Sequence, residues 1–118
     1  TYRQRLWKGG WDAAATRWVD PKPWVDFGGQ PGPDGMAFGT DGQLYVAVYR
    51  SSQIKTVEAQ GQVIRRYDLP GSNPTNAAFD PCNGGLGLVV TEAERGLLLS
   101  LPDLGPGIPL YDGGEVST

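Results

Sequence analysis

Met36-Ala37-Phe38-Gly39-Thr40-Asp41-Gly42-Gln43-Leu44-Tyr45-Val46-Ala47 sets the architecture, because a short apolar segment, a glycine turn and an unbroken apolar run follow one another directly. The same order returns downstream as Ala77-Ala78-Phe79, a longer turn over Asp80–Gly85, and Leu86–Thr91. Phe38 recurs as Phe79 and Leu44 as Leu88, a spacing of roughly 40–45 residues. Each unit also continues alike. The first runs through a turn at Arg50-Ser51-Ser52 into Gln53–Glu58, then a turn at Ala59–Gln62 and Val63–Leu69; the second runs into Gly96–Leu101 and Ile108–Tyr111. A run such as Leu44–Tyr49, with no polar alternation, reads as a strand buried on both faces. Four short strands at this period are the pattern of a β-propeller blade. A single sandwich with two similar halves is the alternative.

Upstream of the repeat lie two aromatic-rich segments, Thr1–Trp7 and Trp18–Phe27, separated by Gly9-Gly10 and by Asp12–Thr16, which is long enough for a hairpin loop. They read as the outer half of a preceding blade. Gly28–Gly35, rich in Gly and Pro, reads as an irregular connector. The units are therefore 1–27, 28–71 with one full blade, and 72–118 with a second blade and a tail. All four tryptophans, Trp7, Trp11, Trp18 and Trp24, fall in the first unit. They read either as filling between packed sheets or as a surface for a partner or sister chain. Known rings need about four to eight blades, so two and a half cannot close. The fold class expected is all-β, a partial propeller completed by oligomerisation or by upstream sequence. Counted by full blades, three copies would supply six. With Thr1 first and Met36 the only methionine, a processing boundary or an upstream segment is expected.

Composition narrows the chemistry. The 118 residues contain no histidine, which removes the commonest general base and the usual zinc ligand. Catalysis would have to use carboxylates. The single Cys82 has no partner for an internal disulfide and no basic neighbour to activate it, so it reads as a free structural thiol. Ten Lys and Arg against thirteen Asp and Glu, a net charge of −3, argue against nucleic acid as a partner. No apolar run approaches the roughly 18 residues needed to span a bilayer. The chain reads as soluble, its compartment unassigned. Glu92 and Glu94 resemble a catalytic acidic pair, but Arg95 and the following turn point to solvated charges.

Gly32-Pro33-Asp34-Gly35-Met36-Ala37-Phe38 with Asp41-Gly42-Gln43-Leu44-Tyr45-Val46-Ala47, and Pro74-Thr75-Asn76-Ala77-Ala78-Phe79 with Val89-Val90-Thr91-Glu92-Ala93, resemble the last blades of the SMP-30/gluconolactonase/luciferin-regenerating-enzyme family. That resemblance implies a six-bladed propeller with a divalent metal, usually calcium, on the central axis. It also implies hydrolysis of lactones or, in phosphotriesterase relatives, of organophosphates. Asp34 matches the carboxylate that reaches the metal and acts as base or nucleophile. Tyr49 matches an aromatic pocket wall, and Ala93 stands where those relatives carry a pocket histidine. Asn73 and Asn76 match no family ligand and read as turn residues. Calcium takes about six to eight oxygens, so Asp34 alone is not a site.

Two functions of different class follow. One is the C-terminal part of a metal-dependent lactone or ester hydrolase, active once the ring is completed by further copies or a companion chain. The other is a non-catalytic, oligomerising β-module.

Overall fold

The computed structural model describes residues 5–28, 32–82 and 84–109. Within them the chain is all β, with nine strands in three antiparallel sheets. Sheet 1 is the ribbon of β1 (Arg5–Asp12) and β2 (Arg17–Asp26). Sheet 2 contains β3 (Pro33–Phe38), β4 (Leu44–Val48), β5 (Gln53–Val57) and β6 (Val63–Asp68), paired in chain order. Sheet 3 contains β7 (Pro74–Phe79), β8 (Leu88–Glu92) and β9 (Leu97–Leu101), also in chain order. No helix among the described residues is long and apolar enough to cross a membrane.

The sheets stack face to face, and β4 shows why its sequence lacks polar alternation. All five of its residues are buried. Leu44, Val46 and Val48 pack with Leu6 and Val25 of sheet 1, whereas Tyr45 and Ala47 pack with Ala77, Phe79, Leu88 and Val90 of sheet 3. Successive side chains of a strand point to opposite faces, so one strand feeds two cores. The Tyr45 and Phe79 rings meet edge to face at 5.2 Å. The Tyr45 hydroxyl donates to Asp41 Oδ2 at 2.9 Å. Burial, and then this bond to a carboxylate, push the phenol up to about 12.

Three local expectations are corrected. The connector read over Gly28–Gly35 ends early, because Pro33 starts β3 and Asp34 and Gly35 lie inside the strand. β3 is an edge strand, and the first residue of an edge strand needs no amide donor, so proline is tolerated there. The register breaks between Pro33↔Val48 and Met36↔Val46, a bulge that absorbs the Asp-Gly pair. Gly9-Gly10 likewise do not interrupt β1; the ring of Trp18 lies over Gly9, where a Cβ would sit 2.7 Å from a ring carbon. Finally, Ile108 does not add to sheet 3. Its amide donates to the Phe38 carbonyl at 3.0 Å, and Gly107 bridges Gly39, so the segment straps sheet 3 to the end of β3. Parts of the expected strands Thr1–Trp7 and Ile108–Tyr111 lie outside the described residues.

Candidate functional site

β3 and β7 are the first and edge strands of their sheets, and both open with proline. Gly35 near the start of β3 backs onto Asn76 near the start of β7. At the far end Tyr45, paired with Ala37, meets Phe79. The two strands therefore run side by side in the same direction. A methyl on Gly35 would stand 2.6 Å from the Asn76 Cα, so only glycine permits this approach. The bulge at Asp34-Gly35 thus lets the backbones touch while Asp34 stays exposed.

Tyr49 lies at the same end of sheet 2. Its amide donates to the Gly32 carbonyl at 3.0 Å, tying the end of β4 to the start of β3. The ring is half-buried, with the Arg50 guanidinium 6.0 Å from its centroid. Asp34 and Tyr49 are thus brought to one end of one sheet, with Asn76 beside them. Asn76 was read as a turn residue. It is instead a residue of β7, exposed, with Oδ1 accepting from the Ala77 amide at 2.9 Å. Asn73 does shape the connection: its amide donates to Glu92 and its carbonyl accepts from Ala93.

Glu92 overturns the solvated-pair reading. It is only 2% exposed, and its carboxylate accepts from the backbone amides of Asn73, Glu94 and Arg95 at 2.8–2.9 Å. Burial alone pushes its carboxyl up. The Arg95, Asn73 and Glu94 amides outweigh that and hold it below the ordinary carboxylate range. Gly71 adopts φ +129°, and a methyl there would run into the Glu92 carboxyl. Glu94 remains exposed and accepts from the Ser72 amide at 3.0 Å. The pair clamps the entry to β7 and leaves no shared acid–base geometry. No sequence period links Glu92 to the Asn73 amide, so nothing in the pattern signalled it.

The opposite end of the sheets is structural. A cavity of about 230 Å³ lies between Phe79, Asp80, Gly87, Leu104 and Pro106. The amides of Cys82, Leu86 and Gly84 converge on Asp80. The Cys82 amide, chiefly, holds that carboxyl below its usual value against the effect of burial, with Leu86 and Gly84 helping. Asp80 organises its loop. Among the described residues no three Asp, Glu, His or Cys side chains are grouped to hold a metal. One exposed carboxylate and one amide do not meet the six to eight oxygens of calcium.

Residues 1–94 match the family described as SMP-30/Gluconolactonase/LRE-like region. No curated protein matches the chain. Among solved structures it is similar to a luciferin-regenerating enzyme, at 22% identity and a TM-score of 0.71 over 92% of this chain and 42% of that one. It is similar also to regucalcin from Agrobacterium tumefaciens, described as a calcium-binding protein, at 24% identity and a TM-score of 0.71 over the same shares. At these identities the likeness is one of fold, and the chain spans 42% of the length of each. The family match over most of the sequence, with three stacked antiparallel sheets that superpose on these neighbours, identifies the chain as a member of the SMP-30/gluconolactonase/LRE-like family.

Proposed function

We propose that the chain supplies the Asp34-bearing inner wall of a divalent-metal-dependent, gluconolactonase-like hydrolase of lactones or esters, whose site forms only in a completed six-bladed ring. The observation that supports this reading is that Asp34 is exposed near the start of β3, next to Gly35, which backs onto Asn76 of β7. Calcium is the expected ion, in keeping with the regucalcin neighbour's description. The described residues of one chain do not fit the ion by themselves, so its other ligands come from whatever completes the ring.

The chemistry open to the chain's own groups is limited. With no histidine, a carboxylate must take the proton of the attacking water or attack the carbonyl itself. As base, Asp34 accepts that proton while hydroxide adds to the carbonyl carbon; the ring C–O bond then breaks and the alkoxide is protonated to give the hydroxy acid. Tyr49 lines the approach as an apolar wall. Ala93 offers no imidazole, so organophosphate chemistry that depends on one is not assigned. Hydrolysis of a δ-lactone in calcium buffer, compared between the parent and Asp34→Asn, tests the reading. A parent rate reduced at least about 100-fold in the variant supports it; equal rates refute it. The exposed indoles of sheet 1 favour a second reading, a non-catalytic oligomerising module.

A further inference from the structure

We infer that one water molecule is held between sheets 2 and 3, bound by Gln43 Oε1 and Thr56 Oγ1 with the Tyr45 hydroxyl oxygen as its third partner. The inference stands apart from the hydrolase reading, because the site lies at the Phe79 end of the sheets, away from Asp34.

Both oxygens are buried, and neither has a hydrogen-bond partner among the described residues. Thr56 is wholly buried, with 0% of its surface exposed. It stands opposite Tyr45 in the β4–β5 register, as Ile54 stands opposite Ala47. Tyr45, Ala47 and Ile54 line the core against sheet 3, so Thr56, two residues along from Ile54, turns to the same side. Gln43 directly precedes β4. Its carbonyl accepts from the Gly39 amide at 2.9 Å, which carries the β3–β4 pairing one step past Phe38↔Leu44. Extended there, and two residues before Tyr45, it presents its side chain on that same face. Gln43 and Thr56 are therefore diagonal neighbours across one strand pair, a relation that sets residues about 7–8 Å apart. One water spans such a separation, and no direct bond joins the two side chains.

The chemistry of the three groups selects the ligand. A glutamine carbonyl oxygen only accepts, whereas a threonine hydroxyl both donates and accepts. The Tyr45 proton is committed to Asp41 Oδ2 at 2.9 Å, which leaves the phenol oxygen as an acceptor. A water there donates to Gln43 Oε1 and Tyr45 Oη and accepts from the Thr56 hydroxyl. Such a set matches the roughly three bonds usual for a buried water. Protein groups do not fill the role. Arg65, opposite Thr56 on β6, is exposed and makes no bond to it. The surrounding core of Ala47, Ile54, Ala77, Leu88 and Val90 offers no polar side chain. A metal ion fits poorly: the two orphaned oxygens are neutral, Asp41 is exposed, and calcium takes about six to eight oxygens. A dry site would leave both groups unpaired inside the protein, which costs more than an ordinary hydrogen bond contributes. The water thus cross-links β4 and β5 beneath sheet 3, beside the ring pair of Tyr45 and Phe79.

Thermal melts of Thr56→Val, Gln43→Met and the double variant test this, since each change nearly keeps the side chain's size and removes its polar group. Each single variant is expected to melt about 5 °C below the parent, the loss that one hydrogen bond makes in a chain of this size. The double variant is expected to fall little further than either single one, because both changes release the same water. A Thr56→Val protein that melts at or above the parent overturns the inference, for a methyl then replaces an orphan hydroxyl without loss. So do two losses that simply add. A crystal structure of the parent chain gives the direct readout, whatever the variants do: a single peak within about 3 Å of both oxygens is expected. A dry site or a direct bond between Gln43 and Thr56 overturns the inference. A peak with about five or more oxygen neighbours does so as well, since that number marks a metal ion. Neither measurement reads hydrolysis, so this inference and the hydrolase stand or fall separately.

Discussion

Replacing Gly35 by alanine would set a methyl group 2.6 Å from the Asn76 Cα and 2.5 Å from its Cγ, where carbon atoms ordinarily pack at about 3.5–4.0 Å. The Cγ contact can be relieved by rotating the amide. The Cα belongs to β7 itself, so relief there requires β3 and β7 to separate by about 1 Å. Forcing a methyl into such a packed contact costs about 2 kcal/mol, which lowers the melting temperature of a chain of this size by about 8 °C. Thermal melts of the parent, Gly35→Ala, Asn76→Ala and the double variant measure it. Asn76→Ala removes the amide and keeps the Cα, so the double variant should recover only part of the loss. A Gly35→Ala protein that melts within about 2 °C of the parent would refute the apposition of β3 and β7, and with it the setting of Asp34 next to that contact.

Ile54, fully buried between sheets 2 and 3, should lose about 2–5 kcal/mol in urea denaturation on replacement by alanine, whereas the same change at Ile64, 41% exposed on β6, should stay within about 0.5 kcal/mol. Because folding holds the Glu92 carboxyl below the 4.5 of an ordinary glutamate, the unfolded chain takes up that proton first. The contribution of Glu92 is therefore complete above about pH 4.5 and lost as pH falls through the folded value; denaturation midpoints against pH should fall more steeply there in the parent than in Glu92→Gln. Asp34→Asn, an exposed site, should melt within about 2 °C of the parent without calcium. Saturating calcium, worth about 2.7 kcal/mol at a hundred times its dissociation constant, should raise the parent's melting temperature and leave the variant unchanged.

The features legible in the sequence were those set by side-chain pattern within one strand. The run at Leu44–Val48 announced a strand with two covered faces, and the return of that run at Leu88 announced a second sheet of the same kind. Features set by backbone meeting backbone were hidden. Pro33-Asp34-Gly35 carries the residue types of a turn, yet an edge strand with a bulge accepts them, and glycine is needed there because β7 comes close. Glu92 looked like surface charge because its burial depends on the connection through Gly71 and Asn73, a different segment whose amide joins those of Glu94 and Arg95 on its carboxylate. The tryptophans divided for a similar reason: the broken register of the β1–β2 ribbon sends Trp24 into the core and Trp11 and Trp18 outward. Asp34 could be singled out from Pro-Asp-Gly and its family likeness, whereas Asn76 could not, since only the fold sets it against Gly35.

Calorimetric titration of calcium into the chain, on samples of known mass, tests most directly whether Asp34 serves a centre shared between chains. Binding only where chains are assembled, abolished by Asp34→Asn, is the predicted result. One ion bound by each separate chain, or binding indifferent to that substitution, would contradict it.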